Sequence, residues 1–344
     1  MKKLKLIGKD LKELETFCIK NNFPKFRGMQ LYKWLYQKSI NNLEDMSNLP
    51  KKLKDLIIKK CIIDDLKINK KQFSSDDNTT KFLLKTSDDK FIECVSMINE
   101  SRHTICISSQ IGCSVDCDFC ATGKMGIIRN LDTGEILNQI SIIKNNISNK
   151  ITNVVFMGMG EPFLNYKNVL NACSILADEN AYNLSSKRIT ISTSGILPKI
   201  KKFIADNEKY KLAISLNASN NKVRDILIPI NKKWPIEELI SELKNYKYHK
   251  RRTIMFEYIM LKNINDKPEH AYELINLLKI FYCKINIIPY NPIDSHYKRS
   301  DKDNIINFYN IINNSKYDHK AFIRWSKGQD IDAWCGQLAT KNDA

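Results

Sequence analysis

The stretch "GCSVDCDFCATG" (112–123) places Cys113, Cys117 and Cys120 within eight positions, spaced C-x3-C-x2-C. Three thiolates can hold three irons of a [4Fe–4S] cluster, and the fourth iron then keeps an open coordination position for an exchangeable ligand. The alternative is a structural zinc site completed by Cys106 or His103. Such sites usually pair short-spaced ligands, and no second C-x2-C or H-x3-H is present. A third alternative is a non-catalytic Fe–S or zinc module that binds RNA. The chain opens "MKKLKLIGKDLKELE", without the long apolar stretch of a secretory signal, and a cytoplasmic location is expected. In that reducing compartment the ten cysteines read as ligands, catalysts or buried apolar residues rather than as a disulfide framework.

Such side chains need rigid elements behind them. The runs "HTICIS", "TNVVFM" (152–157), "RITIS" (188–192), "KLAISL" (211–216), "TIMFEYIM" (253–260), "INIIP" (285–289) and "AFIRW" (321–325) read as strands. Stretches near 132–147, 166–178, 196–207, 235–248, 267–281 and 303–314 carry helical periodicity. Asp132, with Glu135 three positions on, predicts a capping box. Strand–helix units of roughly 30 residues predict parallel strands with crossover helices. The expected α/β fold is a partial (β/α)6 TIM-like barrel, with an open doubly wound sheet as the alternative. In either architecture ligands sit at the C-terminal strand ends. There the chain places "SSQIGC", "GMGEP", "TSG", "NAS" and "YNP".

The N-terminal part differs. Residues 1–70 read as helical, from "KDLKELETFCIKNN", "GMQLYKWLYQKS" and "LPKKLKDLIIKKC". Tyr32, Trp34 and Tyr36 read as core of a small bundle, with stacking on RNA as the sharper alternative. "TKFLLKT" and "KFIECVSMI" flank "SDDK" and predict a hairpin. The expected division is a basic helical RNA-binding domain over 1–75, a hairpin linker over 76–98, a core barrel over 99–330 and a C-terminal loop over 331–344. Net charge is +17, and residues 1–71 hold 18 Lys/Arg against 8 Asp/Glu. That asymmetry favours a phosphate-rich partner. The discount is that 46 of the 55 basic residues are Lys, as an AT-rich coding bias would produce. No apolar run reaches the roughly 18 residues of a membrane span.

The cysteine spacing, with Phe119 before the last cysteine, resembles the radical S-adenosylmethionine (SAM) superfamily. Cys106 in "CISSQIGC" and Cys335 in "GQDIDAWCGQL", with "FMGMGEP", "STSG", "PINKKWP", "IPYNP", "FRGMQLYKWLY" and "MSNLPKKL", resemble the RlmN/Cfr family of adenosine methyltransferases over nearly the whole chain. The resemblance implies a [4Fe–4S] cluster on Cys113, Cys117 and Cys120, and two SAM molecules per turnover. Cys335 would take a methyl group from one SAM. A 5′-deoxyadenosyl radical from the other would abstract a hydrogen from that methyl. The methylene radical would add to adenine, and Cys106 would resolve the adduct, leaving a transient Cys106–Cys335 disulfide. Glu93 is implied as a proton acceptor. Gly160, Glu161, Ser192, Ser215, Leu216, Asn217 and Asn291 are implied as SAM contacts.

The resemblance further implies 2-methyladenosine in 23S rRNA and in tRNA, with carbon-8 methylation as the sister activity. A monomer is expected because RNA must reach the barrel mouth, with an electron donor such as a flavodoxin system as a further partner. Two positions depart from the family pattern: Asn217 stands where the family has His, and Trp334 where it has a small residue. Cys18, Cys61, Cys94, Cys173 and Cys283 read as apolar fillers.

Overall fold

Ten strands share one sheet: β1 Leu66–Phe73, β2 Thr79–Thr86, β3 Phe91–Asn99, β4 Arg102–Cys106, β5 Asn153–Phe156, β6 Ile189–Thr193, β7 Lys211–Ser215, β8 Ile254–Met260, β9 Cys283–Pro289 and β10 His319–Ile323. This computed structural model describes residues 3–40, 42–63, 66–246, 253–293 and 295–339. The end of the helix expected over 235–248 and the tail beyond 339 lie outside them.

Strands β4 to β10 pair in sequence order and in parallel, while β1 to β4 pair antiparallel as a meander added to the β4 side. All seven expected barrel strands are present, each within two residues of the boundaries read from the sequence. Parallel strands are covered on both faces and so run almost continuously apolar. Phe156, Ile191, Ile214, Phe256, Ile285 and Ile287 accordingly form buried core. Helices Thr133–Asn146, Tyr166–Ala177, Leu197–Ala205, Ile236–Leu243, Pro268–Leu278 and Lys302–Asn313 follow the strands as expected. The Asp132 carboxylate accepts the Glu135 N–H at 2.8 Å, and Glu135 accepts the Asp132 N–H at 2.9 Å, completing the capping box.

The helical reading of residues 1–70 needs correction at its end. Helix Lys51–Lys60 gives way to a short strand, Cys61–Ile62, paired with Leu4–Lys5, and Leu66–Phe73 is the edge strand of the main sheet. Its lysines blunt that edge. The hairpin "TKFLLKT–SDDK–KFIECVSMI" is β2–β3. Tyr32 and Tyr36 are fully buried, so neither can stack on RNA. The Tyr32 hydroxyl donates to Asp178 at 2.9 Å, and the Tyr36 hydroxyl accepts the Gly8 N–H at 2.9 Å. The first contact seats the N-terminal helices on the barrel, and the second ties them to the chain ahead of them. Among the described residues no helix is long and apolar enough to cross a membrane.

Candidate active site

Cys113, Cys117 and Cys120 line one cavity, together with Phe119, Gly158, Gly160, Glu161, Ser192, Ser215, Asn217, Glu257 and Cys335. The cysteine loop leaves the short strand Gln110–Gly112, which pairs with Ile127–Asn130. Gly112 adopts φ +73°, and a Cβ there would sit 1.8 Å from the Gly126 carbonyl oxygen, so only glycine lets the loop close. The Cys113 N–H then bonds that same carbonyl at 2.9 Å, and the Cys120 N–H bonds the Cys117 carbonyl.

Burial pushes all three thiols up, Cys113 to about 12 with Glu161 adding repulsion. Bound iron would offset that cost, because a coordinating thiol is held deprotonated. Among the described residues no three His, Cys, Asp or Glu side chains converge on a point as ligands of a single ion would. The thiols surround a shared space instead. His103 is unsuited to complete a zinc site. One ring nitrogen bonds Ser96 at 2.7 Å and the other the Asn149 carbonyl at 2.9 Å.

Around the cysteines the strand ends supply polar groups. Gly160, at φ +95°, lies against Gln110, where a Cβ would meet the Gln110 Cβ at 2.4 Å. Glu161 is buried. Its Oε2 accepts the Ser194 N–H at 2.7 Å and hydroxyl at 2.8 Å, and its Oε1 accepts the Phe163 N–H at 2.9 Å. Burial raises its pKa, and these donors oppose the rise. It is an oriented acceptor suited to an ammonium group. The Ser192 and Ser215 hydroxyls lie 3.3 Å apart. Asn217 adopts φ 56°, and its side-chain oxygen accepts the Ile259 N–H at 2.9 Å, pinning the end of β7 to β8. Leu216 is fully buried and outside the cavity lining; its main chain bonds Glu257 and Arg224. Asn291 is also outside the lining. Its oxygen accepts from Arg299 at 2.7 Å and Ser326 at 2.5 Å, while its buried Nδ2 has no partner among the described residues.

The two further cysteines belong to different segments. Cys106 ends β4 and Cys335 lies on the C-terminal segment; both are free thiols, and both are pushed up by burial. Cys335 lines the cavity together with the cysteine loop, and Cys106 is buried outside the lining. The Cys335 segment is tied to the cysteine loop. The Ala121 N–H bonds the Gly336 carbonyl at 2.8 Å, and the Thr122 hydroxyl bonds the Leu338 carbonyl. Before Cys335 the chain crosses to the β1–β2 turn. The Gly328 N–H bonds Asp77 at 2.8 Å, and Asp330 accepts from the Ser74 hydroxyl and the Ser75 N–H, each at 2.8 Å. This segment therefore joins the two ends of the open sheet. Trp334 packs half-buried against the core, its ring N–H without a partner among the described residues.

Glu93 stands apart from the cavity lining. It forms a buried ion pair with Lys81 at 3.3 Å, and Lys81 also reaches the Asp332 carbonyl at 3.3 Å. Burial raises the Glu93 pKa and Lys81 lowers it. Cys18, Cys61, Cys94, Cys173 and Cys283 are buried in the apolar core or its margins, as fillers should be.

Two supporting residues are absent from the sequence reading. Arg224, fully buried on helix Asn221–Leu227, donates to the Ser194 carbonyl at 2.5 Å, the Leu216 carbonyl at 3.1 Å and the Asn231 side chain at 2.7 Å. It joins the ends of β6 and β7 to the "PINKKWP" turn. The scarcity of Arg, nine residues in so Lys-rich a chain, was the available signal. Gln110 accepts the Glu161 N–H at 2.7 Å and fixes the turn behind the carboxylate.

The arrangement has counterparts among known proteins. Residues 107–275 match the radical SAM superfamily, and residues 4–63 match the ribosomal RNA large subunit methyltransferase N-terminal domain. The chain is 40% identical to the dual-specificity RNA methyltransferase RlmN of Saccharophagus degradans, over 98% of this chain and 86% of that protein. It is 45% identical to that of Wigglesworthia glossinidia brevipalpis, over 98% and 90%. The crystal structure of a radical SAM methyltransferase from Sphaerobacter thermophilus matches with a TM-score of 0.93 at 35% identity, covering 98% of this chain and 100% of that one.

Proposed function

This chain belongs to the RlmN family of radical SAM RNA methyltransferases, and on that premise we propose that it forms 2-methyladenosine in 23S rRNA and in tRNA. The observation that carries the reading is the meeting of two cysteine sets at one cavity: the C-x3-C-x2-C loop, and Cys335 from the C-terminal segment. A radical generator alone would need only the first.

Cys113, Cys117 and Cys120 would hold the [4Fe–4S] cluster, which supplies the electron that cleaves SAM to methionine and a 5′-deoxyadenosyl radical. Glu161 would take the SAM ammonium, with Gly160, Ser192, Ser215, Asn217 and the main chain of Leu216 around the rest, and Asn291 offering its unpartnered amide. The Cys335 thiolate takes the methyl group of a first SAM, forming a sulfur–carbon bond and displacing S-adenosylhomocysteine. A second SAM serves the radical step, in which the methyl on Cys335 gives up a hydrogen atom and bonds the adenine carbon. Glu93 is the proton acceptor in this reading. Cys106 would then attack the Cys335 sulfur and break its bond to carbon, which frees the methylated base and leaves a transient disulfide, the odd electron of the adduct being returned to the cluster.

The N-terminal basic unit (residues 1–75 in the sequence reading) would grip folded RNA, and the target base must leave its stack to reach the cavity. The reading carries with it a cytoplasmic monomer and a reductant such as a flavodoxin system. The test is mass spectrometry of nucleosides from RNA treated with the reconstituted protein. The expected product is 2-methyladenosine, and 8-methyladenosine or unmodified RNA overturns the assignment.

A further inference from the structure

Strands β8 and β9 read as continuous apolar runs, yet each carries one buried polar side chain inside the barrel. Glu257 and Asn286 are register partners, and Ser215 on β7 is the register partner of Glu257. Glu257 lines the cavity and is 7% exposed. Burying a carboxylate is costly unless something compensates. The compensation is indirect. The Asn286 amide donates to Glu257 Oε1 at 2.8 Å, and Arg324 Nε donates to the Asn286 oxygen at 2.9 Å. A guanidinium placed directly against the carboxylate would favour bidentate pairing and take both oxygens. The interposed amide passes on part of that polarisation and leaves Oε2 with no partner among the described residues. Oriented in this way, Glu257 stands in one row with the Ser215 hydroxyl and, 3.3 Å beyond it, the Ser192 hydroxyl.

From this row we infer that Glu257 is a further SAM-binding residue, its carboxylate accepting hydrogen bonds from the ribose hydroxyls of SAM, with Asn286 and Arg324 as positioning residues. The inference rests on the SAM-dependent reading above. A vicinal diol is the ligand chemistry that suits one free carboxylate oxygen beside a bound one, flanked by hydroxyls that can donate or accept. It also separates SAM from the RNA substrate, because an internal nucleotide keeps only its 2′-hydroxyl.

The test is equilibrium dialysis of SAM and of its 2′-deoxyribose analogue against the anaerobically reconstituted full chain, with iron and sulfide content measured for every variant. Hydrogen bonds to a charged group contribute about tenfold or more in affinity. Wild type is expected to prefer SAM over the analogue by about that factor, and E257Q to lose most of the preference while keeping its cluster. Gln retains the acceptor for Asn286, so the barrel interior stays filled. N286A, which frees the carboxylate to turn, is expected to shift the preference in the same direction by about threefold. An unchanged preference in E257Q overturns the inference. So does a loss that disappears when S-adenosylhomocysteine replaces SAM, since the carboxylate would then face the sulfonium. Wild-type protein that binds no SAM at all contradicts the enzyme reading itself, which is a separate result.

Discussion

The cysteine loop and the Cys335 segment meet at the same cavity, but they are held in opposite ways. The loop is largely local. Its three thiols are positioned by turns between residues 112 and 126, closed by Gly112 and a series of short-range backbone hydrogen bonds, with Asp118 tied outward to the Leu227 carbonyl and the Tyr297 hydroxyl. The Cys335 segment has almost no structure of its own. It is held by Ser74, Ser75 and Asp77 from the β1–β2 turn, by Lys81, by Ala121 and Thr122 from the loop, and by Ile331, Ala333 and Leu338 set into the apolar core. A local arrangement suits a group that must not move. A segment held by scattered contacts suits a group that must visit more than one partner.

This contrast can be broken at either side. Cys335→Ala should abolish methyl transfer while SAM is still bound and the cluster content stays that of wild type. Normal turnover by that variant would remove the methyl-carrier role. Gly112→Ala should do the reverse by forcing the loop open, and iron and sulfide analysis should find little cluster, whereas a full complement would show that the loop is not strained at Gly112. Lys81→Met leaves Glu93 buried without its cation, and truncating one partner of a buried pair costs about 3–5 kcal/mol; urea unfolding measures this, and a change under 1 kcal/mol would mean that water reaches Glu93.

A pH test concerns the barrel interior that both regions face. Burial pushes Glu257 up to about 7 from 4.5, with Asn286 and Arg324 opposing. The unfolded chain therefore ionises this group at lower pH than the folded one. Folding stability should fall as pH rises from 4.5 to 7 and level off above, by about 3 kcal/mol in all. E257Q should remove that fall, and parallel pH profiles for the two proteins would show that Glu257 is solvated. The smallest effect is expected from Thr122→Val, which deletes one tie between the two regions. Methyl transfer should drop severalfold with cluster content unchanged, for a stability loss of about 1 kcal/mol.

What the residues revealed in advance follows the same division. The barrel strands were legible because parallel strands buried on both faces leave unbroken apolar runs, and the capping box at Asp132 marked a helix start. The cysteine triad was legible because its spacing is its geometry. Leu66–Phe73 was misread because "LKINKKQF" is an edge strand whose exposed lysines hide its period. Glu257 and Asn286 were invisible because nothing local marks an inward polar residue inside an apolar strand. The partner of Glu93 was equally hidden, since Lys81 comes from the neighbouring strand and only pairing brings them together. Arg224 lies on a seven-residue helix too short to stand out by periodicity.

The bridge from Gly328 to Asp332 has a thermodynamic consequence. It is the seam between the two ends of the sheet, and it is stitched with hydroxyls, carboxylates and main-chain groups, several of them at the surface. Unpicking such a seam exchanges each hydrogen bond for one to water, at about 1 kcal/mol apiece, while the aliphatic core beneath stays dry. The polar stitches of this seam can thus be replaced by water one at a time, while Ile331 keeps it anchored in the apolar core.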